Sequence, residues 1–480
     1  PILVQHPAAR FPAPRRAKPV VSMTHIDRTP VIRQTIESSL DAAGLSSAGF
    51  TAKPQADLRS WFDVTGLAAA SIGAACAEIS ALANPDASQE DTQVDPRLAS
   101  LWFGMSIKPV GWELPPIWDA IAGLYQTSDG WIRLHTNAPH HKQAALEVLA
   151  CDADRTAVAT AVRVWRAQTL ENAIVERGGC AAEQRSIQAW NSHPQGKAVN
   201  AEPLVGWSER GRVESFAVGP AAPLRGLRVL DLTRVLAGPV ATRFLAAFGA
   251  DVLRIDPPGW SEANIVPDVS LGKRCATLDL ANEEDRHRFL SLLRDADLLV
   301  HGYRPDALER LGLGSVARAR INPGLIDIAL CAYGWTGPWR HRRGYDSLVQ
   351  MSAGIAHLGM VRSDDQRPTP LPVQALDHAT GYLMAAAAVR ALRIRNDRGR
   401  ALAARLSLAR TAALLIETLQ DGWPVPLAAA TASDFSESTE ITDWGPAQRL
   451  RFPARLAQVE PDWKIPAHEL HSHSANWESS

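Results

Sequence analysis

Asp377 is the acidic residue whose setting most favours chemistry. It follows PLPVQAL and leads into HATGYLMAAAAVRALRIR, whose spacing predicts a long helix from about residue 378 with Asp377 at the N-cap. Asp is a favoured cap, and replacing one typically costs roughly 1 kcal/mol. The positive end of the helix also favours an ionised carboxylate, which is a nucleophile at neutral pH. Capping is the ordinary role, and it is compatible with nucleophilic attack. His378 is a substitute base by type, although an adjacent helical residue generally points elsewhere.

Other reactive side chains read more plainly. Cys180 in GGCAAEQRS and Cys331 could accept an acyl group, but neither has an evident base partner, so buried inert thiols are expected. His135, His140 and His141 cluster without a zinc-binding spacing, and no metal site is expected. His468, His471 and His473 lie in a polar terminal stretch. Asp63 precedes an Ala-rich helix much as Asp377 precedes its own, yet it lacks the proline-led approach and reads as a cap.

The elements that would hold such a group begin at LRGLRVLDLTRVLAGPVATRFLAAFGADVLRID, residues 224 to 256. Leu227, Val229, Leu230 and Leu232 form the short apolar run of a parallel strand covered on both faces. Arg234 to Pro239 break the run, and apolar residues then recur at helical spacing from Val240 to Phe248. Gly249 stands where a C-cap glycine belongs, and Asp251 to Ile255 read as the next strand. This is a βαβ unit, and a nucleotide-type ligand would bind at the carboxyl ends of its strands. The pattern G-x-G-x-x-G is absent, which argues against a dinucleotide loop.

Strand and helix go on alternating. CATLDL at 275 to 280, DLLVHG at 297 to 302 and LIDIAL at 325 to 330 read as strands, with helices near 283 to 294 and from Pro305 to Leu311 between them. The fold class is α/β, a doubly wound, mostly parallel Rossmann-like sheet with a second, smaller α+β domain. That smaller region contains GWIRLH at 130 to 135 and helices from His140, Arg155 and Thr169.

The domain reading is an N-terminal extension over 1–55, partly disordered, with Met23 a candidate translation start. An Ala-rich helix plus small domain then spans 56–210, a linker 211–223, the Rossmann-like domain 224–420 and a tail segment 421–480. With 50 basic and 51 acidic residues the formal net charge is −1, which gives no reason to expect a nucleic-acid or anionic-membrane partner. Five scattered cysteines without CxxC spacing suggest a reducing, cytoplasmic setting.

The βαβ segment is followed by GKRCATLDL, ADLLVHGYRPDALERLGL, NPGLIDIALCAYGWTGPW, GYDSLVQ and ALDHATGYLMAAAAVRAL. In this order the blocks resemble the class III CoA-transferase, or CaiB/BaiF, family. The resemblance implies a Rossmann-like domain that binds coenzyme A as substrate, with no permanently bound cofactor, in a homodimer acting on acyl-CoA and carboxylic acids. It implies Asp377 as the nucleophile, forming an aspartyl anhydride and then an aspartyl-CoA thioester. It places Val235, Leu236, Ala237, Lys273, Arg274, Tyr303 and Arg310 along the cofactor. Leu236 departs from well-studied members.

A sister activity, α-methylacyl-CoA racemisation, uses a His in the block that reads Gly344-Tyr345-Asp346 here, so transfer is favoured. A non-catalytic CoA-binding homologue is the remaining alternative. DGWIRLHTNAPHHKQAALEVL and the segments after it resemble the family's small domain, which normally follows the nucleotide-binding region. A rearranged chain is therefore expected, with residues 98 to 205 packed near Asp377.

Overall fold

The computed structural model describes residues 29–50, 56–219, 221–304, 306–422 and 425–477. Met23, Pro305 and most of the expected N-terminal extension lie outside them; within that extension, Thr29–Ala42 is a helix.

The Ala-rich segment forms helix α1 (Val64–Ala83), and Asp63 caps it by accepting the Gly66 N–H at 2.6 Å. Among the described residues it is the one helix long and apolar enough to cross a membrane, and it lies inside the core. Strands β1 (Gly123–Gln126), β2 (Trp131–Leu134) and β3 (Ala181–Glu183) build a small antiparallel sheet. Alternation decides its faces: Ile132 and Leu134 pack with Val158, Leu170 and Ile174 of the covering helices, which leaves Trp131 and Arg133 on the other face.

The large sheet comprises β4 (Gly206–Arg212), β5 (Arg228–Leu232), β6 (Asp251–Asp256), β7 (Lys273–Thr277), β8 (Leu298–His301), β9 (Ile326–Cys331) and β10 (Arg400–Ser407). Its order is β7-β6-β5-β8-β9-β10-β4, parallel throughout except for β4, which runs antiparallel to β10. The helices that concern the site are α2 (Ala237–Ala247), α3 (Glu283–Arg294), α4 (Asp346–Ser352) and α5 (Ala375–Arg398). Strand order reverses between β5 and β8, which pair with Val300 opposite Asp231. That reversal opens a crevice at the carboxyl ends of these two strands.

Helix α5 is buried nearly all round, and its alanines let it lie close to both α1 and α2. At Gly381 a Cβ would stand 2.4 Å from the Ala237 carbonyl oxygen, so only glycine permits the approach. A larger residue at fully buried Ala385 would overpack this contact at about 1–3 kcal/mol.

Three expectations are corrected. The linker loses its start, because residues through Arg212 form an edge strand; a Gly-containing polar run hid a strand that needs apolar residues on neither face. The tail is ordered: Gly445–Arg449 pairs with Ile107–Pro109, Ala454–Leu456 pairs with Thr92–Val94, and the His473 N–H bonds the Cys275 carbonyl at 2.8 Å along β7. Asp377 is not the N-cap of α5. The helix starts at Ala375 after Gln374, so Asp377 is its third residue.

Candidate active site

The turn after β5 is strained and braced. Val235 has φ +66°, a conformation that costs a β-branched residue about 1–3 kcal/mol. Its N–H donates to Glu262 Oε1 at 2.7 Å, while Glu262 Oε2 accepts from Arg254 at 2.9 Å. Arg254 in turn donates to Asp256 at 2.7 Å. Across the crevice, the Arg234 guanidinium donates to the Tyr303 hydroxyl at 3.0 Å and lies 4.5 Å over Trp260. Strand reversal, strained turn and cation-aromatic cluster therefore coincide.

Leu236 and Ala237 are buried at the start of α2 beside this turn. Lys273 and Arg274 have protein partners. Lys273 is 0% exposed and donates to Asp231 at 3.0 Å and to the Pro239 carbonyl at 2.9 Å. Burial pulls its pKa down to about 8 against the Asp231 charge. Arg274 donates to Asp251 at 2.6 Å and to the Asn476 carbonyl at 2.5 Å. Tyr303 stands in the crevice, whereas Arg310 is exposed and pairs with Asp306 at 2.9 Å.

Asp377 is 7% exposed, and no described residue donates a hydrogen bond to its carboxylate. Burial raises its pKa well above the usual carboxylate range, and the neighbouring Asp346 raises it further. The helix dipole thus does not decide its charge state. Asp346 caps α5 from outside: its Oδ2 accepts the N–H of Leu376 at 2.8 Å and of Asp377 at 3.0 Å. Its Oδ1 accepts from Gln350, whose Oε1 accepts the Leu371 N–H at 2.7 Å. Burial still pushes Asp346 up to about 6 against these hydrogen bonds.

Residues 98 to 205 lie against this pair. The Phe103 ring stacks on His378 at 5.2 Å, and burial pulls His378 down to about 3. The His135 ring stacks on Tyr345 at 3.7 Å, and the Arg185 N–H bonds the Met351 carbonyl at 3.0 Å. Burial pushes the Tyr345 phenol up, so it is no ready proton shuttle.

Sequence reasoning missed Asp346 and Glu262. Asp346 stands one residue after Tyr345 in a block already singled out, and only pairing in space reveals it. A separate cleft of about 630 Å³ lies between β7, α3 and the C-terminal residues, lined by Thr277, Arg288, His471 and His473. It contains none of the residues above.

Residues 224–426 match the family model described as CoA-transferase family III. A probable fatty acyl-CoA transferase from Mycobacterium tuberculosis is 36% identical over 194 residues, covering 38% of this chain and 49% of the relative. An acetyl-CoA:oxalate CoA-transferase from Acetobacter aceti is 39% identical over 154 residues, covering 30% and 40%. A CAIB/BAIF family protein from Brucella suis overlays with a TM-score of 0.37 at 25% identity, covering 47% and 65%. The chain spans about half the length of the curated relatives it matches.

Proposed function

Residues 224–426 belonging to CoA-transferase family III, we propose that this protein moves CoA from an acyl-CoA donor to a carboxylic acid with Asp377 as covalent carrier. The observation that carries the reading is the Asp377 carboxylate itself, buried and unbonded on a helix whose Gly381 touches the Ala237 carbonyl of the crevice turn. The backbone around Val235, Leu236 and Ala237 would receive CoA, with Tyr303 and Arg234 against its adenine or phosphates and Arg310 at the rim. Lys273 and Arg274 would act by holding the strands that carry the turn.

An ionised Asp377 oxygen attacks the thioester carbonyl and expels CoA thiolate, leaving a mixed anhydride. The thiolate attacks the aspartyl carbonyl, which releases the donor carboxylate and leaves an aspartyl-CoA thioester. An acceptor carboxylate then repeats both steps in reverse and frees Asp377. Burial keeps water from the anhydride, which would otherwise be hydrolysed. An exchange assay with labelled acceptor tests the reading: Asp377→Ala should abolish transfer, and full activity in that variant would refute it.

One observation favours a second reading, α-proton exchange as in racemisation. Two adjacent carboxyls whose ionisation is opposed can divide the roles of acid and base. Deuterium entering the α-carbon of an acyl-CoA without any change of CoA partner would select it.

A further inference from the structure

Next to the Asp346–Asp377 pair, buried polar side chains gather without partners. Arg133 Nε, His135 Nδ1 and both ring nitrogens of His141 are buried and make no hydrogen bond to any described residue. Arg133 and His135 are two residues apart at β2, so they share the face turned away from the small region's core. Both rest on Trp118, the guanidinium 4.7 Å over the ring and the imidazole edge-on at 5.8 Å. His135 stacks on Tyr345 at 3.7 Å, and His141 meets the same ring at 5.9 Å. Tyr345 leads directly into Asp346, so this donor-bearing wall adjoins the residue beneath Asp377.

Asp346 does not supply the missing partner. Its charge acts on Arg133, but its oxygens already accept N–H groups from Leu376, Asp377 and Gln350. Arg155 and Arg367 add positive charge around Arg133, leaving a surplus. Burial holds His135 and His141 neutral, so each keeps one N–H to donate. Buried polar groups are nearly always satisfied, and a cluster that is not points to a group supplied from outside. A guanidinium flanked by imidazole donors matches a carboxylate.

We propose that Arg133, assisted by His135, receives the non-reacting carboxylate of a dicarboxylic acid, so that the acids exchanged at Asp377 are dicarboxylic and travel as their CoA monothioesters. The proposal rests on the CoA-transfer reading for the reaction, while the carboxylate site is set by Arg133 alone.

The test compares succinyl-CoA with butyryl-CoA, which share chain length and CoA, as donors that label Asp377. The wild type should be labelled about tenfold or more faster by succinyl-CoA. Arg133→Met should bring that ratio close to one, and Arg133→Lys should fall between. A wild-type ratio near one, or an Arg133→Met ratio equal to the wild type's, overturns the proposal. So does an equal slowing of both donors, which would place Arg133 on the CoA moiety. Should Arg133→Met fail to fold, the wild-type ratio and Arg133→Lys decide. If neither donor labels Asp377, the transfer reading fails, and calorimetry with succinate and butyrate decides the site. Binding of succinate but not butyrate, lost in Arg133→Lys or Arg133→Met, upholds it, and equal binding of the two acids overturns it.

Discussion

Asp346 Oδ2 accepts the Asp377 amide N–H at 3.0 Å while the two carboxyl groups oppose each other's ionisation. The group that ends α5 properly is therefore also the charge that holds its acid protonated.

A pH dependence follows from that opposition. Attack needs the carboxylate, so kcat/KM should rise with pH along an acidic limb that belongs to the pair. Asp346→Asn keeps an acceptor for the Leu376 and Asp377 N–H groups but removes the charge. The Asp377 pKa falls, and the limb should move to lower pH by about one unit or more. An unmoved limb would show that Asp346 does not govern Asp377.

The same shifts predict a stability cost. A carboxyl whose pKa is higher folded than unfolded stabilises the fold below the unfolded value and loses that contribution as pH rises through the folded one. For Asp346 the window runs from 3.8 to about 6, and for Asp377 it extends upward from the same starting point. Asp377→Asn should therefore be more stable than wild type at neutral pH by roughly 1–3 kcal/mol, with the gain vanishing near pH 4. Urea denaturation at both pH values measures it.

Lys273 and Arg310 should separate cleanly. Lys273→Met leaves Asp231 charged at 0% exposure and should destabilise by about 3–5 kcal/mol. Arg310→Ala breaks an exposed pair and should cost at most about 0.5 kcal/mol. If Arg310 reaches a CoA phosphate, that variant should raise KM for acyl-CoA several-fold at unchanged stability.

Val235→Gly should relieve the strain at φ +66° and free the turn to move. Expected are a gain in stability of about 1 kcal/mol and a weaker acyl-CoA affinity, because the loop must then be ordered on binding. Calorimetric titration with CoA and a thermal melt read the two effects.

Much of the fold was legible because buried parallel strands announce themselves: RVLDL, LLVH and IDIALC fall within the apolar runs that mark them. The edge strand Gly206–Arg212 and the terminal strands were not, since short strands with exposed faces carry no apolar period. Asp377 was found through its block, but its charge state was misjudged. The dipole is a local feature of sequence, whereas burial and the Asp346 charge come from tertiary packing. Glu262 was invisible for a related reason: bracing Val235 is a contact between residues 27 apart in the chain.

Intact and peptide mass spectrometry after incubation with acyl-CoA tests the central claim most directly. The account predicts a CoA or acyl ester on the peptide containing Asp377, removed by hydroxylamine and absent from Asp377→Ala. Transfer of CoA between acids with no adduct at Asp377, or with the adduct on another residue, would contradict it.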